Sequence, residues 1–398
     1  MKLSPEFRRT LEDGMDRMAT GAKTIVSSLP EFRPGIYLDL NSDDGSYRVQ
    51  DYRGDVAVRE QRGFTAGFLA GKLWMLSDFF SDESFRRAAS DVTRYCEVLA
   101  GETEADVGFV SHYGPAMGYE ITGEEWMKEQ ALKGCDSLGE TFHPTLGVLM
   151  VWPPNGPTPD FVDQVPRRAN DWEAYIDSAA SASVFWWARR FAPRYEELIR
   201  TEQESMTRLG LIQADGRVYH LLGFDASTSA PVEFHTAQGW NDYSRWTRAQ
   251  GWGMNSTVFA YEATGEEQFL EAATKTCDYF LAEMIGDGDV VPPYDLDDPR
   301  GTEAPRDTCT TALAINAMAR LIHERPDLEA QYGAFVERGI SELLEHHTTA
   351  EGVVLHGCWG NMTGDAAERV MPYGNIYLIE TLYRLLRPGR DLWGIRPT

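Results

Sequence analysis

Two aspartates in this chain stand at predicted helix starts, in settings that could support acid chemistry. Asp106 lies in the motif ADVGF and Asp177 in the motif YIDSAAS, each directly before a helical pattern. Small residues and the pair Trp186 and Trp187 follow Asp177, so we expect it to be buried, and a buried carboxylic acid keeps its proton. The structural alternative is that both are helix N-caps, a position that aspartate favours.

The stretch AQGWNDYSRWTRAQGW, residues 237–252, has the composition of a wall that binds a carboxylated sugar. Arg248 and Trp252 are four residues apart, so on a helix they share one face, and a guanidinium would stand beside an indole. Such a pair combines a charge-assisted contact with stacking on a sugar ring. Gln238 and, upstream on an apolar strand, His220 add polar groups. The alternatives are an Arg–Trp packing pair and a hydrogen-bonded core histidine.

Helical patterns dominate the elements that must position these residues. Apolar residues at three- and four-residue steps predict an amphipathic helix from Pro5 to about Ser27. Two helical hairpins, in 67–99 and 251–280, match each other at a fixed offset, which indicates an internal repeat. The other predicted helices span 107–120, 123–138, 176–191, 193–209, 308–324, 328–347 and 373–387.

About twelve helices in pairs predict an all-α fold. We expect an (α/α)6 barrel of six helical hairpins, in which inner helices pack a core and outer helices cover it. The short β-like pieces Leu146 to Trp152 and Val218 to Leu222 are interpreted as β-hairpins at the rim. No glycine-serine tract or charge block divides the chain, so we expect a single catalytic domain over residues 1–398.

The composition restricts the partners and the compartment. A formal charge of -25 over 398 residues argues against a nucleic-acid or anionic-membrane partner, because such a surface repels phosphates. The amino-terminal stretch has no apolar signal region, and no apolar run reaches the length of a membrane span, so we expect a cytoplasmic protein. Five cysteines without CxxC spacing fit reduced thiols. The scattered histidines offer no metal-ligand set, and we expect no metal or organic cofactor.

With DVGF, YIDSAAS and SRWTRAQGW in this order, the sequence resembles glycoside hydrolase family 88, the unsaturated glucuronyl hydrolases. The resemblance runs from about Gly63 to Leu386 and includes the pattern RDTCTTALAINAMARL, which begins at Arg306. It implies an (α/α)6 barrel that removes the Δ4,5-unsaturated uronate left at the non-reducing end of oligosaccharides by polysaccharide lyases.

The resemblance also implies a role for each motif residue. The family's general acid/base falls on Asp177 and its second essential carboxylate on Asp106. The implied substrate contacts are His220, Gln238, Arg248, Trp252, Trp152 as an aromatic of the sugar platform, and Phe64 in place of a stacking tryptophan. Protonation of C4 by Asp177 would create an oxocarbenium-like centre at C5. Water would then add at C5, and the hemiketal would open and release the aglycone.

Three departures from the family pattern affect the expected substrate range. Phe64-Thr65-Ala66 stands where the family usually has Trp-Thr-Asn, so one indole and one amide contact are absent or replaced. Residues 178–181, Ser-Ala-Ala-Ser, replace Thr-Met-Met-Asn and imply a pocket floor of different shape. Tyr373-Gly374-Asn375 replaces a usual Gly-Asp pairing.

Other functions stay open at the sequence level. An unsaturated rhamnogalacturonyl hydrolase would differ in its aglycone contacts at the rim. A sugar epimerase or isomerase on the same barrel would need two facing histidines, for which His220 and His235 are the candidates. A non-catalytic carbohydrate-binding module would bind sugar without consuming the C4=C5 double bond. The sequence does not indicate the oligomeric state.

Overall fold

A computed structural model gives the structure of the chain, and it describes residues 1–28, 36–38, 49–51, 65–99, 105–151, 171–285, 289–360 and 369–396. Two predicted binding residues, Phe64 and Trp152, lie outside these ranges. Within them, no helix combines the length and apolar character that spanning a bilayer requires. All five cysteines are described, and each is buried and unpaired.

Most of the described chain is helical, and the helix bounds agree closely with those predicted. The α-helices are α1 Pro5–Ser28, α2 Thr65–Phe80, α3 Glu83–Leu99, α4 Val107–Ser111, α5 Met117–Thr122, α6 Glu125–Gly139, α7 Ile176–Ser181, α8 Val184–Ala188, α9 Pro193–Arg208, α10 Thr247–Thr264, α11 Glu267–Tyr279, α12 Thr308–Glu324, α13 Glu329–His346 and α14 Pro372–Leu386.

Two predicted helices are interrupted in the structure. A π-helical turn, His112–Ala116, joins α4 to α5 where Pro115 cannot donate a backbone hydrogen bond. The predicted helix 176–191 breaks between α7 and α8, where the Ser183 and Phe185 amides bond to carbonyls three residues back.

The helix contacts form two concentric rings among the described residues. The inner ring passes from α2 to α4 with its π-helical turn, then to α7 with α8, α10, α12 and α14, and α14 returns to α2. Outside them, α3, α6, α9, α11 and α13 each pack on the inner segment that precedes them, and α1 packs on α14. This closed arrangement confirms the predicted (α/α)6 barrel.

Short strands lie between the helices, as predicted. They are β1 Ile36–Leu38, β2 Val49–Asp51, β3 Phe142–His143, β4 Val148–Leu149, β5 Asp171–Tyr175, β6 Leu221–Asp225 and β7 Pro231–His235. The strands β5, β6 and β7 form an antiparallel sheet in which Tyr175 pairs with Leu221. The Ile176 amide donates to the His220 carbonyl at 3.0 Å, so the sheet brings the start of α7 beside His220.

The inner helices run parallel, which gives the barrel two chemically different ends. Near the starts of α10 and α12, Arg248 contacts Asp307. Near the ends of the same helices, Arg320 and Glu262 are paired and buried, with 2.5 Å between Arg320 Nη2 and Glu262 Oε2. We call the first end the N-terminal rim, because the inner helices begin there. Aligned N-termini give this rim a partial positive charge that favours an anionic ligand.

A buried ion network cross-links the opposite end. Glu262 accepts from Arg320 Nε at 2.8 Å and from Arg384 Nη1 at 3.0 Å, and Arg396 lies 3.6 Å away. Arg384 also donates to Glu380 at 2.9 Å. Burial alone would raise the pKa of Glu262, but Arg384 and Arg320 together lower it to about 2. We call this set the far-end network.

Candidate active site

A close backbone crossing brings the two aspartates together. Gly108 in α4 lies against Ser181 in α7, and a Cβ at residue 108 would stand 2.3 Å from the Ser181 carbonyl oxygen. The Ser181 hydroxyl donates to the Ala105 carbonyl at 2.6 Å. Because Asp177 is one helical turn before Ser181 and Asp106 directly follows Ala105, the crossing places both carboxyls at the N-terminal rim.

Asp106 is partly buried and serves as a hydrogen-bond acceptor rather than as a cap. It occupies the N-cap position of α4, but its side chain makes no capping hydrogen bond. Its Oδ1 instead accepts from the Tyr175 hydroxyl at 2.8 Å. Burial raises the pKa of Asp106 to about 6, against the opposing effect of the Tyr175 hydrogen bond. Asp106 is therefore mostly ionised at neutral pH.

Asp177 lies inside the first turn of α7, with Tyr175 at the N-cap position, so the N-cap interpretation is wrong for it. The residue is 9% exposed. Burial, followed by the charge of Asp106, raises the pKa of Asp177 to about 8. Two neighbouring carboxyls with pKa values pushed apart are the usual arrangement for an acid and an ionised partner. At neutral pH the proton stays on Asp177.

His220 is buried against Trp246, with ring centroids 4.2 Å apart, and its two nitrogens face different partners. Nδ1 lies 2.8 Å from the Thr236 hydroxyl and accepts from the Ala237 amide at 3.3 Å. Nε2 faces Asp177 Oδ2 at 3.6 Å. The histidine predicted from the sequence thus borders the candidate acid directly.

Arg248 lies beneath the rim, and both of its terminal nitrogens donate hydrogen bonds to acceptors within the protein. Nη1 donates to Asp307 Oδ2 at 3.0 Å and to the Cys358 carbonyl at 2.8 Å. Nη2 donates to Gln238 Oε1 and to the Trp359 carbonyl, each at 2.6 Å. All four terminal N–H groups are therefore engaged with acceptors of the chain.

The expected pairing of Arg248 with the Trp252 indole is not what the structure shows. The guanidinium carbon lies 4.9 Å from the Trp246 ring centroid. Trp252 packs instead on Phe109 and Tyr373, at centroid distances of 5.4 Å each. Helical spacing gives both residues the same face, but the buried carboxylate of Asp307 attracts the guanidinium towards the neighbouring helix.

Several buried polar atoms of the described residues lack a close hydrogen-bond partner at this rim. They include Asp177 Oδ2 and Trp252 Nε1, although the Trp252 indole lies near enough to the Asp177 carboxyl to lower its pKa. Tyr373 lies beside them, and burial, then proximity to Asp106, raise its pKa well above the usual value. Unsatisfied buried polar groups are rare in folded proteins. A polar ligand that enters from the rim could satisfy them.

Asp177, Asp106, His220, Gln238, Arg248 and Trp252 converge at the N-terminal rim. The sequence patterns gave no individual role to four further residues of this rim, namely Tyr175, Thr236, Asp307 and Tyr373. Asp307 is recognisable as the N-cap of α12, since its Oδ1 accepts from the Cys309 amide at 3.1 Å. The other three lack a local signal, because their partners are distant in sequence. Within the described ranges, no three His, Cys, Asp or Glu side chains are grouped to hold a metal ion.

Known proteins resemble the chain over most of its length, although no protein-family model matches it. It is 22% identical over 350 residues to the unsaturated chondroitin disaccharide hydrolase of Streptococcus pneumoniae, covering 84% of this chain and 85% of that protein. It is 23% identical over 359 residues to the unsaturated glucuronyl hydrolase of a Bacillus species, covering 87% and 92%.

A solved structure shows the same fold. It is an aspartate-to-asparagine mutant of the unsaturated glucuronyl hydrolase of Streptococcus agalactiae, complexed with dGlcA-GalNAc6S. It matches with a TM-score of 0.75 at 19% identity, covering 97% of this chain and 94% of that one. These comparisons confirm the resemblance to unsaturated glucuronyl hydrolases that the sequence motifs indicate.

Proposed function

We propose that this chain is an unsaturated glucuronyl hydrolase, which removes a Δ4,5-unsaturated uronic acid from the non-reducing end of lyase-generated oligosaccharides. The observation that carries the proposal is the pair of unlike carboxyls at the rim. Burial and the charge of Asp106 raise the pKa of Asp177 to about 8, whereas the Tyr175 hydrogen bond opposes burial and the pKa of Asp106 rises only to about 6. Protonation of an enol ether needs such an acid, and the developing positive charge needs such an anion.

In the proposed reaction, Asp177 donates its proton to C4 of the unsaturated ring. Positive charge develops at C5 and the ring oxygen, and ionised Asp106 stabilises it. Water adds at C5, a proton from that water returns to Asp177, and the hemiketal opens to release the aglycone. Tyr175 would hold Asp106 ionised through its 2.8 Å hydrogen bond.

The uronate carboxylate would bind at the positive end of the inner helices. Aligned helix N-termini favour an anion here even though the whole chain carries a charge of -25. Gln238 and Trp252 would contact the sugar, together with Trp152 and Phe64. Arg248 would act by holding Gln238, because its charge is paired with Asp307 and its terminal N–H groups are already engaged.

The names of the relatives indicate the substrate class. One similar enzyme is named for unsaturated chondroitin disaccharides, and a similar structure binds dGlcA-GalNAc6S, so we propose a glycosaminoglycan-derived disaccharide as the first substrate to test. A rhamnogalacturonyl substrate has no such support. The epimerase alternative is weakened because the two histidines face different carboxylates. His220 faces Asp177 at 3.6 Å, and His235 faces Glu173 at 3.3 Å.

We further propose that residues 1–398 form one catalytic domain that works in the cytoplasm without a metal or organic cofactor. The ring of helical hairpins formed by the described residues supports the single domain. The five buried, unpaired cysteines are compatible with a reducing compartment.

The function is tested by following the absorbance of the C4=C5 double bond in lyase products of chondroitin, hyaluronan, heparin, xanthan and pectin. The expected result is loss of absorbance with at least one of them. Asp177→Asn should lower kcat by about two to four powers of ten, the usual contribution of a general acid. Asp136→Asn, on the outer helix α6, is the matched control and should retain activity. An Asp177→Asn variant with wild-type decay would contradict the mechanism.

A further inference from the structure

We propose that Thr236 is a positioning residue that fixes one tautomer of His220, with its proton on Nε2, and so determines which oxygen of Asp177 carries the transferable proton. The inference rests on the proposed function, since it concerns the same acid. It adds a residue outside the substrate contacts to the catalytic apparatus.

The hydrogen bonds around Thr236 determine which atom donates. Its hydroxyl oxygen accepts from the Gly239 amide at 2.9 Å and from the Gln238 amide at 3.3 Å. Two backbone donors occupy the lone pairs of this oxygen, so its own proton is free to point elsewhere. The nearest ring atom is His220 Nδ1 at 2.8 Å. Thr236 therefore donates to Nδ1.

A second donor enforces the same assignment. The Ala237 amide also points at His220 Nδ1, at 3.3 Å, and a backbone N–H can only donate. Nδ1 must then be an acceptor without a proton, and a neutral imidazole carries its proton on Nε2. Burial, with smaller contributions from His235 and Arg248, lowers the pKa of His220 well below its usual value, so the ring is neutral.

The Nε2–H group then faces Asp177 Oδ2 across 3.6 Å. A proton on Oδ2 would point at another proton, so the acidic proton of Asp177 resides on Oδ1. Asp106, Arg248, Tyr373 and the Trp252 indole also face this carboxyl. Asp106 cannot donate once ionised, the Arg248 terminal N–H groups have other acceptors, and the Trp252 indole N–H, which can only donate, lowers the pKa of Asp177 without taking its proton.

This arrangement assists the proton transfer because it stabilises the carboxylate that forms on Asp177. The Oδ1–H bond of Asp177 breaks as the π electrons of C4=C5 form the new C4–H bond, which leaves a cation at C5 and a carboxylate on Asp177. If His220 and Asp177 moved a few tenths of an ångström closer, Nε2–H could donate to Oδ2 of that carboxylate. His220 would thus stabilise the conjugate base without giving up a proton.

The opposite tautomer would weaken the acid. An unprotonated Nε2 would accept the Asp177 proton in an O–H···N hydrogen bond, which holds the proton away from the substrate and raises the pKa of the acid. Loss of the Thr236 hydroxyl, with only the longer Ala237 contact remaining, makes this state accessible.

The test compares Thr236→Val, which preserves shape but lacks the hydroxyl, with Thr236→Ser, which retains it. Thr236→Val should lower kcat about tenfold with little change in KM, the scale of one lost hydrogen bond. It should also move the alkaline limb of the pH profile to higher pH. Thr236→Ser should restore both values. A Thr236→Val enzyme with the wild-type kcat and pH profile would overturn the proposed role of Thr236.

A second measurement depends neither on the Thr236 variants nor on the substrate. Imidazole ¹⁵N NMR of the wild-type protein, with the His220 signal assigned by its loss in His220→Asn, reports the tautomer directly. We expect a protonated Nε2 and an unprotonated Nδ1, and a protonated Nδ1 would overturn the inference. If the wild-type protein consumes no unsaturated substrate, the proposed function fails, whereas the NMR result still decides the tautomer.

Discussion

The Tyr175 hydroxyl donates to Asp106 Oδ1 at 2.8 Å, and Asp177 follows Tyr175 by two residues on the same chain segment. One short segment therefore supplies both the buried acid and the hydrogen bond that lowers the pKa of its neighbour. Burial raises the pKa of both carboxyls, but only that of Asp106 is opposed by this hydroxyl. The contact makes the two aspartates chemically different.

Tyr175→Phe should move the acidic limb of kcat/KM to higher pH. In the wild type the Tyr175 hydrogen bond lowers the pKa of Asp106. Without it the pKa rises, so Asp106 ionises only at higher pH. A pH series with the unsaturated disaccharide measures the shift. Tyr195→Phe is the matched control, because the buried Tyr195 donates to Asp136 at 2.8 Å between the outer helices α9 and α6, away from the rim. An unchanged acidic limb would show that Tyr175 does not tune Asp106.

The wild-type profile of kcat/KM should be bell-shaped. Asp106 must be ionised, which requires pH above about 6, and Asp177 must be protonated, which requires pH below about 8. Activity is therefore expected to rise through the first value and fall through the second. A profile that does not fall below the lower value and above the upper one would mean that other groups limit the rate.

Asp177→Asn should lose most of its activity yet be more stable than the wild type at alkaline pH. The folded pKa of about 8 lies above the unfolded value of 3.8, so the unfolded state loses its proton first. Ionisation thus favours unfolding increasingly between those values, by on the order of a few kcal/mol. Asparagine does not ionise. Thermal unfolding should show a gap between variant and wild type that widens as pH rises towards 8, and a constant gap would refute the buried-acid interpretation.

Arg248→Met should affect both stability and substrate handling. It leaves the buried Asp307 carboxylate without its cation, which typically costs about 3 to 5 kcal/mol of unfolding free energy. It also releases Gln238 and the carbonyls of Cys358 and Trp359, so KM should rise and kcat fall. Denaturant unfolding and kinetics check this. Arg325→Met, which removes an exposed pair with Asp327, should change neither quantity.

Glu262→Gln should destabilise the protein without changing the active-site pH profile. The carboxylate neutralises buried arginines of the far-end network, so its removal should cost about 3 to 5 kcal/mol. Because its folded pKa of about 2 lies below the unfolded value of 4.5, this contribution is present above pH 4.5 and is lost as pH falls towards 2. Acid unfolding midpoints of wild type and variant measure it. The exposed Glu271→Gln serves as the control.

The sequence predicted the helices and the fold because the inner and outer positions have strong apolar periodicity. It also identified the motif residues that the structure brings to the rim. It did not predict the π-helical turn at His112–Ala116, since a helical pattern does not reveal where one proline alters the hydrogen-bond register. The prediction of a single domain and the roles of the site residues stay predictions.

The partners of Arg248 show why local spacing was insufficient. Its helical neighbour Trp252 lies four residues away, but its counterion Asp307 lies on the next inner helix, 59 residues along the chain. The same holds for Tyr175 and Asp106, which are 69 residues apart. Contacts of this kind form only when the helices close into the barrel, so a short stretch of sequence does not predict them.

The parallel inner helices have a consequence for redesigning this enzyme. Arg248 and Asp307 stand at the starts of α10 and α12, and the far-end residues Glu262 and Arg320 stand 14 and 13 residues further along the chain from them. Loop exchanges that alter the preferred aglycone can therefore be attempted without rebalancing the far-end network. A thermostable scaffold and a new specificity could be selected separately and then combined, with additive effects expected over that separation.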